Sequence, residues 1–181
     1  MVHPPTPYRN AWSKQNEASP LPHYIRHLPD LPILSAYRDH SPPFVSKVHY
    51  KPRGSKLQGL RFQEKVLNWL PQSFLIRSPW FSYVDRSGQN FWCQPDFLID
   101  SYDQNHILVG EIKIRFNSDA FLQLEKLYIP VLQKALCVDA RLVPLAVCHS
   151  HDPEVQTPRP RHLIDHIGQI DPEAFNVLIV H

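Results

Sequence analysis

Proline placement constrains this chain more than any other feature. Ten of its 19 prolines precede residue 55, namely Pro4, Pro5, Pro7, Pro20, Pro22, Pro29, Pro32, Pro42, Pro43 and Pro52. Each lacks a backbone donor and disfavours helix at the residue before it, so residues 1–55 are expected to form a mostly irregular arm. The arm also carries Tyr8, Trp12, Tyr24, Ile25, Leu31, Ile33, Leu34 and Phe44, more apolar surface than a solvated linker needs. It is therefore expected to wrap the core, a partner protein or a second subunit of a homodimer. A chain of 181 residues supports one ordinary core but not two large domains, which leaves 56–181 as the domain proper.

After Gly54-Ser55, Leu57, Leu60, Leu67 and Leu70 recur at helical spacing until Pro71, which predicts a helix over 56–70. The β-branched and aromatic run from Phe74 to Val84, the polar turn Asp85 to Asn90 and the extended run Phe91 to Asp100 predict a hairpin. A second polar turn, Ser101 to Asn105, leads into a third strand over 106–115, so three strands meander antiparallel. Asn117-Ser118-Asp119 signals a helix start before 120–138, which Pro130 should kink or divide. Leu142 to Cys148 reads as a buried strand reached by a crossover. Residues 149–160 read as loop, 161–167 as a short helix and 175–180 as a last strand. The class is α/β.

Several functions are excluded or disfavoured at this level. Five glycines assemble neither a P-loop nor a dinucleotide fingerprint, and serine or cysteine nucleophile elbows are absent. No apolar stretch approaches the roughly 20 residues of a membrane helix, so no membrane partner is expected. Met1 to Pro7 lacks the pattern of a secretory signal, and Cys93, Cys137 and Cys148 are odd in number without paired spacing. Buried thiols in the cytosol are the expectation. A zinc set of Cys148, His151, His162 and His166 is a weaker pattern, with the last two on one helix face. The net charge of +2 points to no partner, but Lys47, Lys51, Arg53, Lys56, Arg61 and Lys65 stand against one acid, Glu64. That strip, above all Lys51, Arg53, Lys56 and Arg61, suits a phosphate backbone.

The most informative constellation lies on the meander. Glu111 and Lys113 are two apart on a strand and share a face. A turn centred between residues 103 and 104 places Asp96 across from Glu111. Like charges so opposed are destabilising and ask for a cation. Pro95 beside Asp96 marks a bulge or strand edge, where sheets re-aim side chains. Two carboxylates, with water and substrate phosphate, suit Mg²⁺ or Mn²⁺, and Lys113 would position an attacking water.

Through Cys93-Gln94-Pro95-Asp96-Phe97-Leu98-Ile99 and Leu108-Val109-Gly110-Glu111-Ile112-Lys113, the chain resembles the P-D…(D/E)-x-K nuclease superfamily over about residues 56–149. The resemblance implies a restriction-endonuclease-like core of helix, three-stranded meander, helix and strand. It also implies a helix glutamate in the site, matched by Glu64, which would join Asp96 and Glu111 in holding metal. Within the superfamily the pattern is most similar to the endonuclease subunit of heteromeric transposases, then to phage exonucleases and RecB-like nucleases. The latter two often place a glutamine on the following helix, matched by Gln123, with Tyr128 at a looser interval. The implied activity is metal-dependent hydrolysis of DNA phosphodiester bonds. A junction resolvase, or an inactive nuclease-like fold kept for nucleic-acid binding or assembly, stands as the alternative.

Overall fold

The run His106–Phe116, which becomes strand β6, is buried along most of its length and is the spine on which the rest is hung. The computed structural model describes residues 28–39, 52–101, 105–136, 140–151, 153–154 and 159–181. These form a mixed α/β fold with two sheets. In chain order the elements are β1 (Ser35–Asp39), α1 (Gly54–Trp69), β2 (Leu75–Arg77), β3 (Trp80–Val84), β4 (Asn90–Cys93), β5 (Phe97–Ser101) and β6. They continue with α2 (Ser118–Leu122), a π-helical stretch (Gln123–Tyr128), α3 (Ile129–Leu136), β7 (Arg141–His151), β8 (Arg161–Ile164) and β9 (Phe175–Ile179). Among the described residues no helix is long and apolar enough to cross a membrane.

One sheet has the order β2-β5-β6-β7-β9-β8 and the other β1-β3-β4. β6 pairs antiparallel with β5 and parallel with β7, and the parallel step requires the crossover that α2 to α3 supplies. Strands covered on both faces read as continuous apolar runs; Leu142 to Cys148 is such a run, and β9 is buried from Phe175 to Leu178 with Asn176 as a buried polar member. The six-stranded sheet thus divides the single expected core into two layers. On one face Val66 and Leu67 of α1, with Leu70 at its C-terminal cap, meet Phe97, Leu108 and Ile112. On the other, Leu124, Tyr128 and Leu132 meet Val109, Ala146 and the three-stranded sheet's Phe81 and Tyr83.

The hairpin expected over 74–100 is more elaborate than its sequence pattern. Both of its arms are cut, one at Ser78-Pro79 and the other at Gln94-Pro95-Asp96. Each proline withdraws a ladder donor, and there the chain changes sheet. The inner halves β2 and β5 pair in the large sheet, while β3 and β4 pair in the small one. The two crossings are stitched together: the Ser78 N–H donates to the Asp96 carbonyl at 2.8 Å, and Gln94 Nε2 donates to the Ser78 carbonyl at 2.8 Å. Ser78 has φ of 45°, a left-handed conformation that costs a non-glycine residue about 1–3 kcal/mol.

Elsewhere the periodic readings and the structure agree with local exceptions. The first helix starts two residues earlier than expected, and its buried stripe uses Val66 while Leu60 is exposed. Asn117 caps α2 by accepting from the Ala120 N–H at 3.2 Å. The helix expected over 120–138 is interrupted ahead of Pro130: residues 123–128 widen to π winding between α2 and α3, and the Ile129 N–H reaches the Leu124 carbonyl, which relieves the clash a proline ring makes with the carbonyl four residues back. Residues 161–164 form β8, not a helix, because pairing with β9 satisfies their backbone. Part of the proline-rich arm does lie on the core: β1 pairs with β3, and Ile33 and Ala36 are buried. The rest of the arm lies outside the described residues, as does Cys137. Cys93 and Cys148 are buried thiols.

Candidate active site

The β5–β6 ladder pairs Phe97 with Gly110 and Leu98 with Val109, the register read from the turn centre. The ladder stops at Phe97–Gly110, and Asp96 lies beside Glu111 as its neighbour without pairing with it. Pro95 ends the regular ladder there, and the Asp96 side chain takes over from the missing strand. The Asp96 N–H donates to the Gly110 carbonyl at 3.0 Å, and its Oδ2 accepts from the Ile112 N–H at 2.6 Å. A backbone donor that would otherwise be orphaned is thereby satisfied by a carboxylate.

The close approach of these two strands depends on Gly110. The Phe97 ring lies over it, and a Cβ at Gly110 would stand 2.1 Å from the ring. Phe97 is fully buried in the layer shared with α1. The residue after Asp96 therefore locks the residue before Glu111, and the two carboxylates are held by rigid strands.

Glu111 is only 3% exposed and accepts from Lys113 Nζ at 2.5 Å, with the lysine side chain 31% exposed. Burial pushes the Asp96 carboxyl well above its ordinary range, and the nearby Glu111 pushes it further, against the Ile112 hydrogen bond and the Lys113 charge. Burial pulls Lys113 down, but the charge and hydrogen bond of Glu111, with Asp96 behind it, more than offset this and leave the ammonium stabilised. Two acids and one base in a shielded place leave one negative charge in excess when Asp96 is ionised.

The helix residue that reaches this centre is Gln63. Its Nε2 donates to Asp96 Oδ1 at 2.8 Å. Glu64, the residue expected there, is a correction: it is exposed, accepts from Asn68 Nδ2 at 3.3 Å and faces Arg77 at 3.5 Å. Arg77 fixes this rotation by donating to the Leu67 carbonyl at 3.1 Å and to Gln72 Oε1 at 2.8 Å. A signal for Gln63 was present in the sequence. Residues 63, 66, 67 and 70 follow the i, i+3, i+4, i+7 stripe that a helix buries, and Gln63 is the polar member.

Gln123 lies on the π-helical stretch, in the layer on Val109's side of the sheet, and Glu111 and Lys113 share that face by strand alternation. Its Oε1 and the Oδ1 of Asp119, one turn earlier, are buried without a hydrogen-bond partner. Burial raises the Asp119 carboxyl. Tyr128 is buried in the apolar cluster. Of the basic strip, Arg53 and Arg61 are exposed, Lys56 is half-buried and Lys65 donates to the His181 carbonyl at 3.3 Å. Lys47 and Lys51 lie outside the described residues.

Among the described residues no three His, Cys, Asp or Glu side chains converge on one point. The zinc pattern is not assembled: Cys148 is fully buried in the apolar cluster, whereas His162 sits on β8, two strands away, with its ring bonded to the Gln169 carbonyl at 3.0 Å. The His162–His166 spacing loses its meaning because residues 161–164 are extended. Asp96 and Glu111 remain as a pair of hard oxygen donors with an excess negative charge, a donor set that fits Mg²⁺ or Mn²⁺ completed by water and phosphate. Compared with known proteins, the chain matches no family model, no curated protein and no solved structure.

Proposed function

We propose that the chain is a metal-dependent deoxyribonuclease with a restriction-endonuclease-like core, its site built on Asp96, Glu111 and Lys113. The observation that carries this reading is a pair of neighbouring carboxylates, Asp96 and the buried Glu111, at the end of a strand pair that also presents a lysine. Hydrogen bonds from Gln63 and Ile112 and the Lys113 ion pair hold the two carboxylates, yet like charges brought together on neighbouring strands still cost free energy. A divalent cation held by Asp96 and Glu111 removes that cost and supplies charge neutralisation at the phosphate.

The residues of the chain then have separate tasks. Asp96 and Glu111 hold their carboxylates at a fixed spacing through the Phe97–Gly110 lock. Lys113, cationic at neutral pH, donates hydrogen bonds and so orients the attacking water beside the phosphate. The unpartnered Gln123 Oε1 is an acceptor for a water proton on the same face. Arg53, Lys56 and Arg61 supply backbone contacts, which give affinity that falls with salt and carries little sequence information. Element order in helix, antiparallel strands, crossover helix and parallel strand supports the same assignment of fold.

The outward Glu64 favours one rival: a nuclease-like fold kept for nucleic-acid binding or assembly. Cleavage of linear, circular and branched DNA with Mg²⁺ or Mn²⁺, beside EDTA and Lys113→Ala controls, separates the two. Metal-dependent cutting that the variant lacks is the expected result, and preference for branched DNA would identify a junction resolvase. DNA binding that is indifferent to chelator, without cutting by any form, would replace this reading with the rival.

A further inference from the structure

We propose that Gln63 is the positioning residue of this site and that its neutral amide limits the site to one divalent cation. The inference rests on the metal-dependent reading above. Asp96 is gripped at both oxygens, Oδ1 by Gln63 Nε2 at 2.8 Å and Oδ2 by the Ile112 N–H at 2.6 Å. Two donors from different elements fix the plane of the carboxylate, and each oxygen keeps a second lone pair for a cation. Gln63 is the only α1 side chain that reaches Asp96 in the described hydrogen-bond network.

The acid that could have supplied a third carboxylate is directed elsewhere. Glu64 is tied to Asn68 and Arg77, and Arg77 is itself anchored on the end of α1. Gln63 offers only a donor toward Asp96. The charge count follows: Asp96 and Glu111 against Lys113, which lies 2.5 Å from Glu111. One divalent ion already outweighs the single excess negative charge. A second would stand among two carboxylates, an ammonium and the first ion, with no further anionic ligand from α1.

The test is a Mn²⁺ titration of the full chain, free Mn²⁺ being followed by electron paramagnetic resonance. The wild type is expected to bind one Mn²⁺. Gln63→Met keeps the length of the side chain and removes the donor; it should still bind one ion, about 10- to 100-fold more weakly, as loss of a residue that orients a ligand usually does. Its cleavage should need correspondingly more Mn²⁺ but approach the wild-type rate at saturation, a split that loss of fold would not produce. Gln63→Glu places a carboxylate at the same point and should raise the stoichiometry to two. This variant decides the matter if Gln63→Met does not fold. Two ions on the wild type, unchanged affinity in Gln63→Met, or one ion on Gln63→Glu would overturn the inference while leaving the nuclease reading intact. No Mn²⁺ on the wild type would end the nuclease reading itself.

Discussion

Asp85 and Asp96 stand at opposite ends of the same strand pair, β3–β4, and the chain treats them in opposite ways. Asp85 is 3% exposed. Its Oδ2 accepts from the Asp30 N–H at 3.0 Å, and its Oδ1 accepts from the Ser87 N–H and hydroxyl at 2.9 and 2.5 Å. Burial alone would raise its pKa, but these donors, with the Gln89 backbone, outweigh burial and hold it below the usual range. Asp96 also has donors, yet burial and, after it, the neighbouring Glu111 push it up. A carboxylate surrounded by donors belongs to the architecture. A carboxylate aimed at another carboxylate stores a demand for a cation, and such perturbed groups collect where chemistry is done.

The largest effect should be on cleavage: Lys113→Ala is expected to lower the rate about 1,000-fold, within the range for loss of a positioned proton-handling group, whereas Asp85→Asn leaves the activity of folded protein unchanged. A plasmid-nicking time course reads both. Next, Gly110→Ala forces a methyl into the Phe97 ring and should destabilise by about 3 kcal/mol, the upper end for overpacking, measured by urea unfolding. The same assay should show Asp85→Ala losing about 2 kcal/mol, since it strands buried donors. Asp96→Asn should instead gain about 1 kcal/mol at neutral pH without metal, by removing the repulsion from Glu111. Equal destabilisation by the two substitutions would abolish the distinction drawn between these aspartates.

The pH dependence of stability sharpens the same contrast with opposite signs. The folded pKa of Asp85 is depressed, so its contribution is present above the ordinary aspartate value and is lost as pH falls through the folded pKa. For Asp96 the folded pKa is raised, so the folded state binds more protons in the window above the ordinary value. Stability therefore declines as pH rises through that window to the folded pKa. Urea midpoints between pH 3 and 8 should lose the first slope in Asp85→Asn and the second in Asp96→Asn. Mg²⁺ should raise the melting temperature of the wild type but not that of Asp96→Asn, because a ligand of the folded state stabilises by mass action.

Much of the site was legible because its geometry is local. The spacing about the polar turn 101–105 was enough to give the Phe97–Gly110 register that brings Asp96 beside Glu111, and strand alternation puts Lys113 on the Glu111 face. What the sequence concealed depends on partners distant along the chain. Pro79 and Pro95 punctuate the hairpin visibly, but that its halves enter different sheets is decided by β1 and β6. Residues 161–164 have no pattern of their own strong enough to resist β9. The choice between Gln63 and Glu64 is a rotation of about 100° about the helix axis, and Arg77, from the next strand, makes it. Residues 1–27 and 40–51, most of the arm, lie outside the described residues.

The π winding before Pro130 ties the length of the crossover helix to that proline. Hydrogen bonds in residues 123–128 close over one residue more than those of an α-helix, which is the mark of a single inserted residue. A deletion at the exposed Lys126 that returned these turns to regular winding would bring back the clash at Pro130, so it should be tolerated only together with replacement of the proline. The inserted residue and the proline on the helix that carries Gln123 thus form a pair expected to be gained or lost together.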